Sequence, residues 1–368
     1  MSSLKNSPSG FFLIRQYPQA RACSLGVAAL LLLGLSGCDF LKIKEEAVTA
    51  PVSQNTEPAK PQEAPPAPPP PPPPPPMETP EKIAEKALAN FKSKPAGQRN
   101  DQDVATLASL YEPARLAITE LNLETSGVTG ATTRNLKAFP NLKILNLSLV
   151  ETLDEASVQP ILECTKLESL YIDQVKINDD FLKGLGKLDG IRDLQISRTS
   201  ITERALGNLL KELPNLERLA LVGLPINGSC FKLATSKKLK LLQIDHTNIV
   251  PDGMKLLNKF PLTNLSAVHC MFMGDKGVAA ISGMKDLKVL NLSDNGDRLT
   301  NACMVYLGKI KSLETLRIVN NNLITDLGLA RLRGLKNLKL LVVNGTGCTP
   351  AGMAQLQKLL PDLNKEGM

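Results

Sequence analysis

Aliphatic residues recur along the chain in a fixed six-residue pattern, aliphatic-x-x-Leu-x-aliphatic. The fourth position is Leu in all ten copies, and the sixth is Leu, Ile or Val in every copy except one, where it is Ala267. The side chains of a strand alternate between its two faces, so the pattern predicts a short strand in each copy, with positions three, five and seven exposed. The copies follow one another at steps of 23 to 26 residues and begin at Ile118, Leu142, Leu167, Ile191, Leu216, Leu239, Leu262, Leu287, Leu313 and Leu338.

Each predicted strand is followed by an aliphatic residue, a polar residue that can cap a helix, and an apolar stripe with helical spacing. The clearest example is "LITDLGLARLRGL", residues 323–335. In this segment Thr325 is suited to cap a helix and Asp326 favours the helix N-terminus. The residues predicted to face inward are Leu327, Leu329, Leu332 and Leu335.

Ten copies at this spacing resemble the leucine-rich-repeat family, over about Ile118 to Leu363. One repeat cannot bury its own apolar face, whereas stacked repeats can. The resemblance therefore implies an α/β leucine-rich-repeat solenoid over residues 118–368, curved, with a parallel sheet on the concave side and helices on the convex side. Several copies carry Thr, Cys or Asn at position nine, as in the cysteine-containing subclass of these repeats: Thr199, Thr247, Cys270, Asn295, Asn321 and Thr346. Val150, Val175 and Leu224 depart from this rule, and we expect a less regular turn at these three residues.

Residues 81–117 are predicted to form a helical cap in front of the repeats. Thr79 and Pro80 are a favourable helix start, with Thr as the N-cap and Pro at the first helical position. The stripe Ile83, Ala87, Leu88 and Phe91 follows. A second short helix is expected over Val104 to Tyr111.

The N-terminal segment is basic and lacks acidic residues as far as Asp39. Its apolar run from Leu25 to Gly37 is shorter than the about 20 residues that a membrane-spanning helix needs, and it fits the apolar region of a secretory signal. The run ends in "LSGC", which resembles the bacterial lipobox. That resemblance implies removal of residues 1–37, lipid attachment to Cys38, and a membrane-anchored lipoprotein of the bacterial cell envelope that faces outside the cytoplasm. An ordinary signal peptide or an uncleaved anchor is the alternative.

Residues 38–80 contain the lipidated cysteine of this interpretation and a Pro-rich linker. Pro68 to Pro76 are an unbroken proline run. Proline fixes φ and removes the N–H donor, so the segment is predicted to form no folded domain and to adopt a local polyproline II conformation. Pro61 to Pro76 would then be a spacer of roughly 50 Å. A ligand for a proline-binding domain is the alternative interpretation of this run.

Charge and cysteine usage narrow the classes of function. The formal net charge is +7, and removing Lys5, Arg15 and Arg21 with the signal leaves about +4, which is too low and too dispersed to favour nucleic acid. No C-x-x-C pair is present, so the sequence predicts neither a zinc site nor a disulfide framework. The five cysteines in the repeats are interpreted as buried thiols, and no cofactor is expected. Those cysteines are 164, 230, 270, 303 and 348.

His246 and His269 are the only histidines, and both occupy position eight of a repeat. Their separation is therefore the repeat period and does not need a separate motif. Adjacent strands lie about 4.8 Å apart, so Asp294 at position eight of the next repeat would extend them into a row. Two His and one Asp could hold zinc, but a solvated row at the rim of the sheet is the favoured interpretation, and no metal is predicted.

The function favoured by the repeats is a scaffold that binds a protein or peptide partner on the concave sheet, because an extended sheet face offers many exposed side chains. The sequence contains no Gly-rich phosphate loop, no G-x-S-x-G and no H-E-x-x-H motif, so we do not expect an enzyme. A structural envelope protein attached to cell-wall polymer is the alternative. Tyr and Arg often anchor interfaces. The predicted partner-binding residues are Tyr171, Asp173, Asp193, Gln195 and Arg317.

Overall fold

In the computed structural model, which describes residues 78–366, the strands of the repeats lie side by side in one parallel sheet. Each strand is three residues long, centred on position four of its repeat, and pairs with the strands before and after it in the sequence. The strand predicted for each repeat is therefore confirmed. The bounds are β1 Glu120–Asn122, β2 Ile144–Asn146, β3 Ser169–Tyr171, β4 Asp193–Gln195, β5 Arg218–Ala220, β6 Leu241–Gln243, β7 Asn264–Ser266, β8 Val289–Asn291, β9 Thr315–Arg317, β10 Leu340–Val342 and β11 Asn364–Glu366.

The last strand was not predicted. β11 pairs with β10 in the same register as every other pair, with Leu341 opposite Lys365. Lys365 therefore occupies the position that Leu fills in all ten repeats. The strand forms because a parallel neighbour needs only backbone N–H and C=O groups, which the six-residue pattern does not encode.

The leucines at position four form the predicted buried ladder. Leu194 faces Leu219 across β4 and β5, and Leu242 faces Leu265 across β6 and β7. Leu242 is 2% exposed and Leu290 is fully buried. Position six adds a parallel row, since Leu221, Ile244 and Leu292 are also fully buried. These rows fill the space between the sheet and the helices.

Helices or 3₁₀ turns cover the opposite side of the sheet. In repeats two and five the connection contains a 3₁₀ turn and no α-helix, so the helix-like segment expected in every repeat is absent from those two. The α-helices are α1 Pro80–Ser93, α2 Asp101–Ala108, α3 Glu112–Leu116, α4 Gly130–Asn135, α5 Asp179–Leu185, α6 Glu203–Glu212, α7 Pro251–Leu256, α8 Gly274–Ala280, α9 Asn301–Leu307, α10 Asp326–Leu329 and α11 Pro350–Leu359. The 3₁₀ turns are Ala96–Gln98, Leu136–Ala138, Gln159–Glu163, Ser229–Lys232, Leu257–Lys259, Gly296–Arg298 and Ala330–Gly334.

The helical segment of repeat nine differs from its prediction at one residue. α10 is a single turn that continues as a 3₁₀ turn, and Leu329, Leu332 and Leu335 are buried as expected. Leu327 is 76% exposed, so its predicted inward orientation is wrong. The reason is that Gly328 approaches α9 instead: a Cβ added there would lie 2.8 Å from Cγ of Met304.

Position eight of every repeat has a left-handed backbone, with φ between 53° and 71°. This conformation turns the chain after each strand and leaves the position-eight N–H pointing at the next repeat. The N–H of His246, for example, donates to the carbonyl of Val268 at 2.8 Å. The ten residues are Thr125, Leu149, Gln174, Arg198, Gly223, His246, His269, Asp294, Asn320 and Gly345.

The turn also keeps this conformation in the repeats that lack a polar residue at position nine. Leu149, Gln174 and Gly223 precede Val150, Val175 and Leu224, and all three have positive φ. The expectation of a less regular turn there is wrong. At five of the polar position-nine residues the side chain donates to the carbonyl of position six, whereas Oγ of Ser126 has no hydrogen-bond partner within residues 78–366. The hydroxyl of Thr247 bonds Ile244 O at 2.7 Å.

The cap helices pack against repeat one. Thr79 caps α1 by accepting from the Lys82 N–H at 3.4 Å, as predicted. The second helix, α2, begins and ends three residues earlier than expected, at Asp101 and Ala108. The guanidinium of Arg99 donates to Asn122 O in β1, and Asp101 accepts from Thr129. These bonds join the cap to the first strand and to the N-terminus of α4.

Within residues 78–366, no helix combines the length and apolarity that crossing a bilayer requires. The predicted signal peptide, Cys38 and the Pro-rich linker up to residue 77 lie outside the described residues. The described chain is thus an α/β solenoid of stacked repeats, with the sheet on its concave side and the helices on its convex side.

Candidate binding face

The outward side of the sheet is built from positions three, five and seven of each repeat. Strand alternation buries Leu170 and Leu194 and leaves their neighbours Tyr171 and Gln195 partly exposed on the concave face. Arg317 lies at the same position five, farther along the sheet, and is also partly exposed. The structure therefore places the predicted residues on one face, in two separate regions.

Tyr171, Asp193 and Arg218 form one hydrogen-bonded network across three adjacent strands. The Tyr171 hydroxyl donates to Oδ2 of Asp193 at 2.8 Å, and Nε of Arg218 donates to the same oxygen at 2.7 Å. The Asp193 side chain is 4% exposed, whereas that of Arg218 is 44% exposed. The second Asp193 oxygen, Oδ1, is buried without a hydrogen-bond partner among the described residues.

The environment of this network changes the acidity of its tyrosine. Burial raises the pKa of Tyr171 to about 12, and the adjacent Asp193 carboxylate adds to the shift. The phenol is therefore a neutral hydrogen-bond donor at every physiological pH. Because its proton is donated to Asp193, Tyr171 can offer a partner its ring and its oxygen as an acceptor, but no free donor.

Asp173 is separate from this network. Its Oδ1 accepts the backbone N–H of Ser197 at 2.6 Å, across the boundary between repeats three and four. Burial raises the pKa of Asp173 from its ordinary value, while the bond from Ser197 opposes that rise. Asp245 has the equivalent position three repeats later and accepts from the Val268 N–H at 2.8 Å. These two position-seven carboxylates thus join consecutive repeats, and Asp245 is itself buried.

The structure assigns different roles to the four residues of the predicted patch, Tyr171, Asp173, Asp193 and Gln195. Tyr171 and Gln195 lie opposite each other on adjacent strands and are partly exposed. Asp193 is buried and holds Tyr171 and Arg218 in place. Sequence reasoning missed Arg218. It occupies position three of the repeat after Asp193, so two opposite charges in the same column of adjacent repeats were the available signal.

Arg317 lies in a different environment. In the sheet it is flanked by Asn291 of β8 and Val342 of β10. Its guanidinium has no hydrogen bond or ion pair within residues 78–366. Val319 follows at position seven and is partly exposed. This end of the face therefore combines aliphatic surface with one cation available to an acidic group.

The two histidines stack at the end of their strands. The ring centroids of His246 and His269 are 4.9 Å apart and the planes are tilted by 33°. Burial lowers the pKa of His246, and the neighbouring His269 lowers it further. Asp294 is in the same row, but its Oδ1 accepts from Nδ2 of Asn320 at 2.6 Å. Among the described residues, no three His, Cys, Asp or Glu side chains are grouped so as to hold a metal ion.

The thiols of the repeats are free and poorly suited to act as nucleophiles. Cys164, Cys230, Cys270 and Cys303 are buried, and Cys348 is partly buried. Burial raises the pKa of Cys164 and of Cys270 to about 11 and also raises those of Cys230 and Cys303. A thiol with so high a pKa is almost fully protonated at neutral pH, and the protonated thiol is a weak nucleophile.

Comparison with known proteins supports the repeat assignment. The family model described as "FBD-associated F-box protein At5g56370, LRR repeats" matches residues 151–298. A search of curated proteins found no significant match to the chain. The chain thus contains a leucine-rich-repeat domain, on the evidence of its sheet, its register and this match.

The chain is similar to several solved structures at low sequence identity. The crystal structure of the Rad7 and Elc1 complex in yeast has a chain 17% identical, with a TM-score of 0.50, over 78% of this chain and 82% of that one. A leucine-rich-repeat protein of Leptospira interrogans is 17% identical, with a TM-score of 0.45, over 69% and 73%. An internalin from Listeria monocytogenes is 16% identical, with a TM-score of 0.35, over 78% and 97%. At these identities the similarity concerns the fold.

Proposed function

We propose that this protein is a lipid-anchored protein of the bacterial cell envelope whose repeats bind a protein or peptide on the concave face. The single observation that carries the binding proposal is the Tyr171–Asp193–Arg218 network. A buried carboxylate holds an aromatic ring and a guanidinium on an exposed sheet face, and these two side-chain types are the commonest anchors of protein interfaces.

Rigid presentation of Tyr171 favours binding because less side-chain freedom is lost when the partner arrives. Arg317, unpaired and flanked by Val342, provides a second contact for an acidic or amide group. A scaffold of this kind needs no catalytic group.

The anchoring half of the proposal rests on the sequence "LSGC" at the end of the apolar run from Leu25 to Gly37. Mass spectrometry of the mature N-terminus is expected to find an acylated Cys38. An intact segment from Met1 to Gly37, or a cut at another bond, would exclude lipid anchoring at this cysteine.

Binding is tested by capture from an envelope extract on the immobilised mature chain, with matched variants. Tyr171→Ala and Arg317→Ala are expected to reduce the amount of the partner captured. Lys183→Ala, on the convex helix α5, is the control and is expected to retain it. A larger loss for the convex variant would place recognition on the helix side. Binding to purified cell-wall sacculi, unaffected by the concave variants, would instead favour the structural envelope protein.

A further inference from the structure

The convex side of repeats five and six carries a cluster of lysines that has no acidic partner. We call Lys232, Lys237, Lys238, Lys255 and Lys259 the lysine patch. Within residues 78–366, none of the five forms an ion pair. The uncompensated charge is a local property of these two repeats, because the average charge of the chain is low.

Three exposed lysines at position two of the repeats form ion pairs with glutamates of neighbouring repeats. Lys143 lies 2.8 Å from Glu168, and Glu314 lies between Lys288 at 3.0 Å and Lys339 at 2.9 Å. Basic and acidic residues alternate along this rim from Lys143 to Lys240 and again from Lys288 to Lys339, whereas the lysines of the patch lie outside these pairs. The alternation is interrupted only at repeat seven, where position two is Thr263, and Lys240 of repeat six forms no ion pair within the described residues.

The backbone of repeat five brings the lysines of the patch together. The connection after β5 contains only the 3₁₀ turn Ser229–Lys232, so an irregular loop runs on to β6. Nζ of Lys259 donates to the carbonyls of Lys232 at 3.2 Å and Ala234 at 2.7 Å. Burial, together with the charge of Lys237, lowers the pKa of Lys259, which shows that cations are crowded here.

A shallow groove of about 850 Å³ runs between the two repeats. Lys232, Lys255 and Lys259 line it, and Asp252 is the acidic residue in its lining. Leu233 stands beside Lys232 and is 46% exposed. Its two neighbouring carbonyls are the ones bonded by Lys259, so the exposed leucine is held among the ammonium groups.

We propose that the lysine patch and Leu233 form a docking surface for the headgroups of an anionic phospholipid bilayer. Clusters of lysines bind anionic membrane surfaces, and each lysine near the surface strengthens binding about fivefold. An exposed apolar side chain among the cations can enter the boundary between headgroups and acyl chains. The groove lining contains no aromatic side chain, so the stacking platform that single-stranded nucleic acid needs is absent from it.

This surface is on the convex side and is independent of the concave face. Docking would fix which way the domain faces, with the convex side of repeats five and six toward the bilayer and the sheet turned away from it. The proposal concerns the folded repeats alone and does not require the lipid on Cys38.

The test uses the mature chain without its acylated residue, residues 39–368, which retains the whole described core from Ala84 to Leu363. Co-sedimentation is measured with vesicles of phosphatidylcholine and phosphatidylglycerol in equal parts, and with phosphatidylcholine alone. Wild type is expected to bind the anionic vesicles and not the neutral ones. Equal binding to both, or to neither, overturns the proposal.

Two sets of three Lys→Gln substitutions, one in the patch and one outside it, lower the net charge by the same amount and are compared. Lys232→Gln, Lys237→Gln and Lys255→Gln together are expected to weaken binding about a hundredfold. The control set is made at the ion-paired lysines 143, 288 and 339, also to Gln, and is expected to have a much smaller effect. Equal losses for the two sets would show that net charge alone acts, and would overturn the patch. Thermal unfolding of each variant checks that it is folded.

A neutral substitution identifies the source of the anionic groups. Leu233→Ser is expected to weaken binding to anionic vesicles about tenfold, because it removes apolar contact with the lipid. Binding to soluble polyphosphate, measured in parallel, is expected to be unchanged by this substitution. If the wild type binds polyphosphate but not vesicles, or if Leu233→Ser leaves vesicle binding unaffected, the bilayer is not the ligand.

Discussion

The Asp179 carboxylate accepts two hydrogen bonds from Thr202, one from the backbone N–H to Oδ1 at 2.8 Å and one from the hydroxyl to Oδ2 at 2.7 Å. Asp179 begins α5 and Thr202 caps α6, so the pair joins the helix starts of two consecutive helical repeats. The same two-bond arrangement recurs at Asp101–Thr129, Asp275–Thr300 and Asp326–Thr349. In a solenoid each repeat contacts only its neighbours, so such pairs contribute directly to the interface energy.

We expect Thr202→Ala to lower the free energy of unfolding by about 1 kcal/mol. The substitution removes the hydroxyl that Asp179 accepts from and the N-cap bond from the Ala205 N–H. Thermal unfolding followed by circular dichroism measures the effect. Thr165→Ala is the control, since its exposed hydroxyl has no hydrogen bond within the described residues. Equal midpoints for the two variants would show that the pair does not stabilise the repeats.

The buried leucine ladder gives a larger expected effect. Leu242→Ala removes a side chain that is 2% exposed and leaves a cavity between β6 and the convex side. We expect a loss of about 2–5 kcal/mol in the free energy of unfolding, from transfer and cavity costs together. Denaturant titration measures it. An unchanged midpoint would mean that position four is not the core position of repeat six.

Position eight offers a stabilising substitution. Thr125 is exposed and β-branched, yet its φ is 57°. A left-handed backbone costs about 1–2 kcal/mol for ordinary L-residues, and asparagine tolerates it better. Thr125→Asn is therefore expected to raise the thermal midpoint. A lowered midpoint would contradict a left-handed turn at this residue.

The thiols are expected to differ in their reactivity in the native protein. The thiolate is the reactive form, and a raised pKa keeps its fraction low until the pH approaches that pKa. At pH 8 Cys164 and Cys270, with pKa values of about 11, are expected to react slowly with a thiol reagent. Cys348, the least buried of the repeat cysteines, is expected to react first.

Mass spectrometry of the labelled mature chain without Cys38 reports the order of labelling. Unfolding in denaturant is the control and is expected to make all five repeat cysteines reactive. Labelling of Cys164 before Cys348 in the native protein would contradict the burial described here.

Most of the fold could be predicted from the sequence because one pattern recurs ten times. The Leu at position four determines which face of each strand is buried, and the structure confirms this register from Leu121 to Leu341. Repetition also explains the separation of His246 and His269, which reflects stacking of repeats instead of a ligand motif.

The features that were missed depend on backbone or on neighbours in space. β11 forms without the leucine pattern, and Gly328 instead of Leu327 faces α9. The left-handed turn at position eight had a visible signal, because Gly, Asn, Asp and His favour that conformation, and six of its ten residues are of these types. Those six are Gly223, His246, His269, Asp294, Asn320 and Gly345.

The different roles of the predicted binding residues can be distinguished only from side-chain geometry. Sequence alone placed Tyr171 and Asp193 on one face but could not show that Asp193 is buried beneath two donors. Arg218, the second donor, lies in the same column as Asp193 and could have been noticed in the sequence, but its bond to Asp193 depends on side-chain conformation. Whether these residues bind a partner remains a prediction.

Site-specific photo-crosslinking in the cell tests the central proposal, partner binding on the concave face. A photoreactive amino acid is placed in turn at Tyr171 and Arg317 on the sheet, and at Lys183 and Arg333 on the convex side. We expect one shared crosslinked protein from the two sheet positions and none of it from the convex positions. The proposed face would be contradicted if a partner protein were crosslinked from Lys183 and Arg333 while Tyr171 and Arg317 gave no adduct.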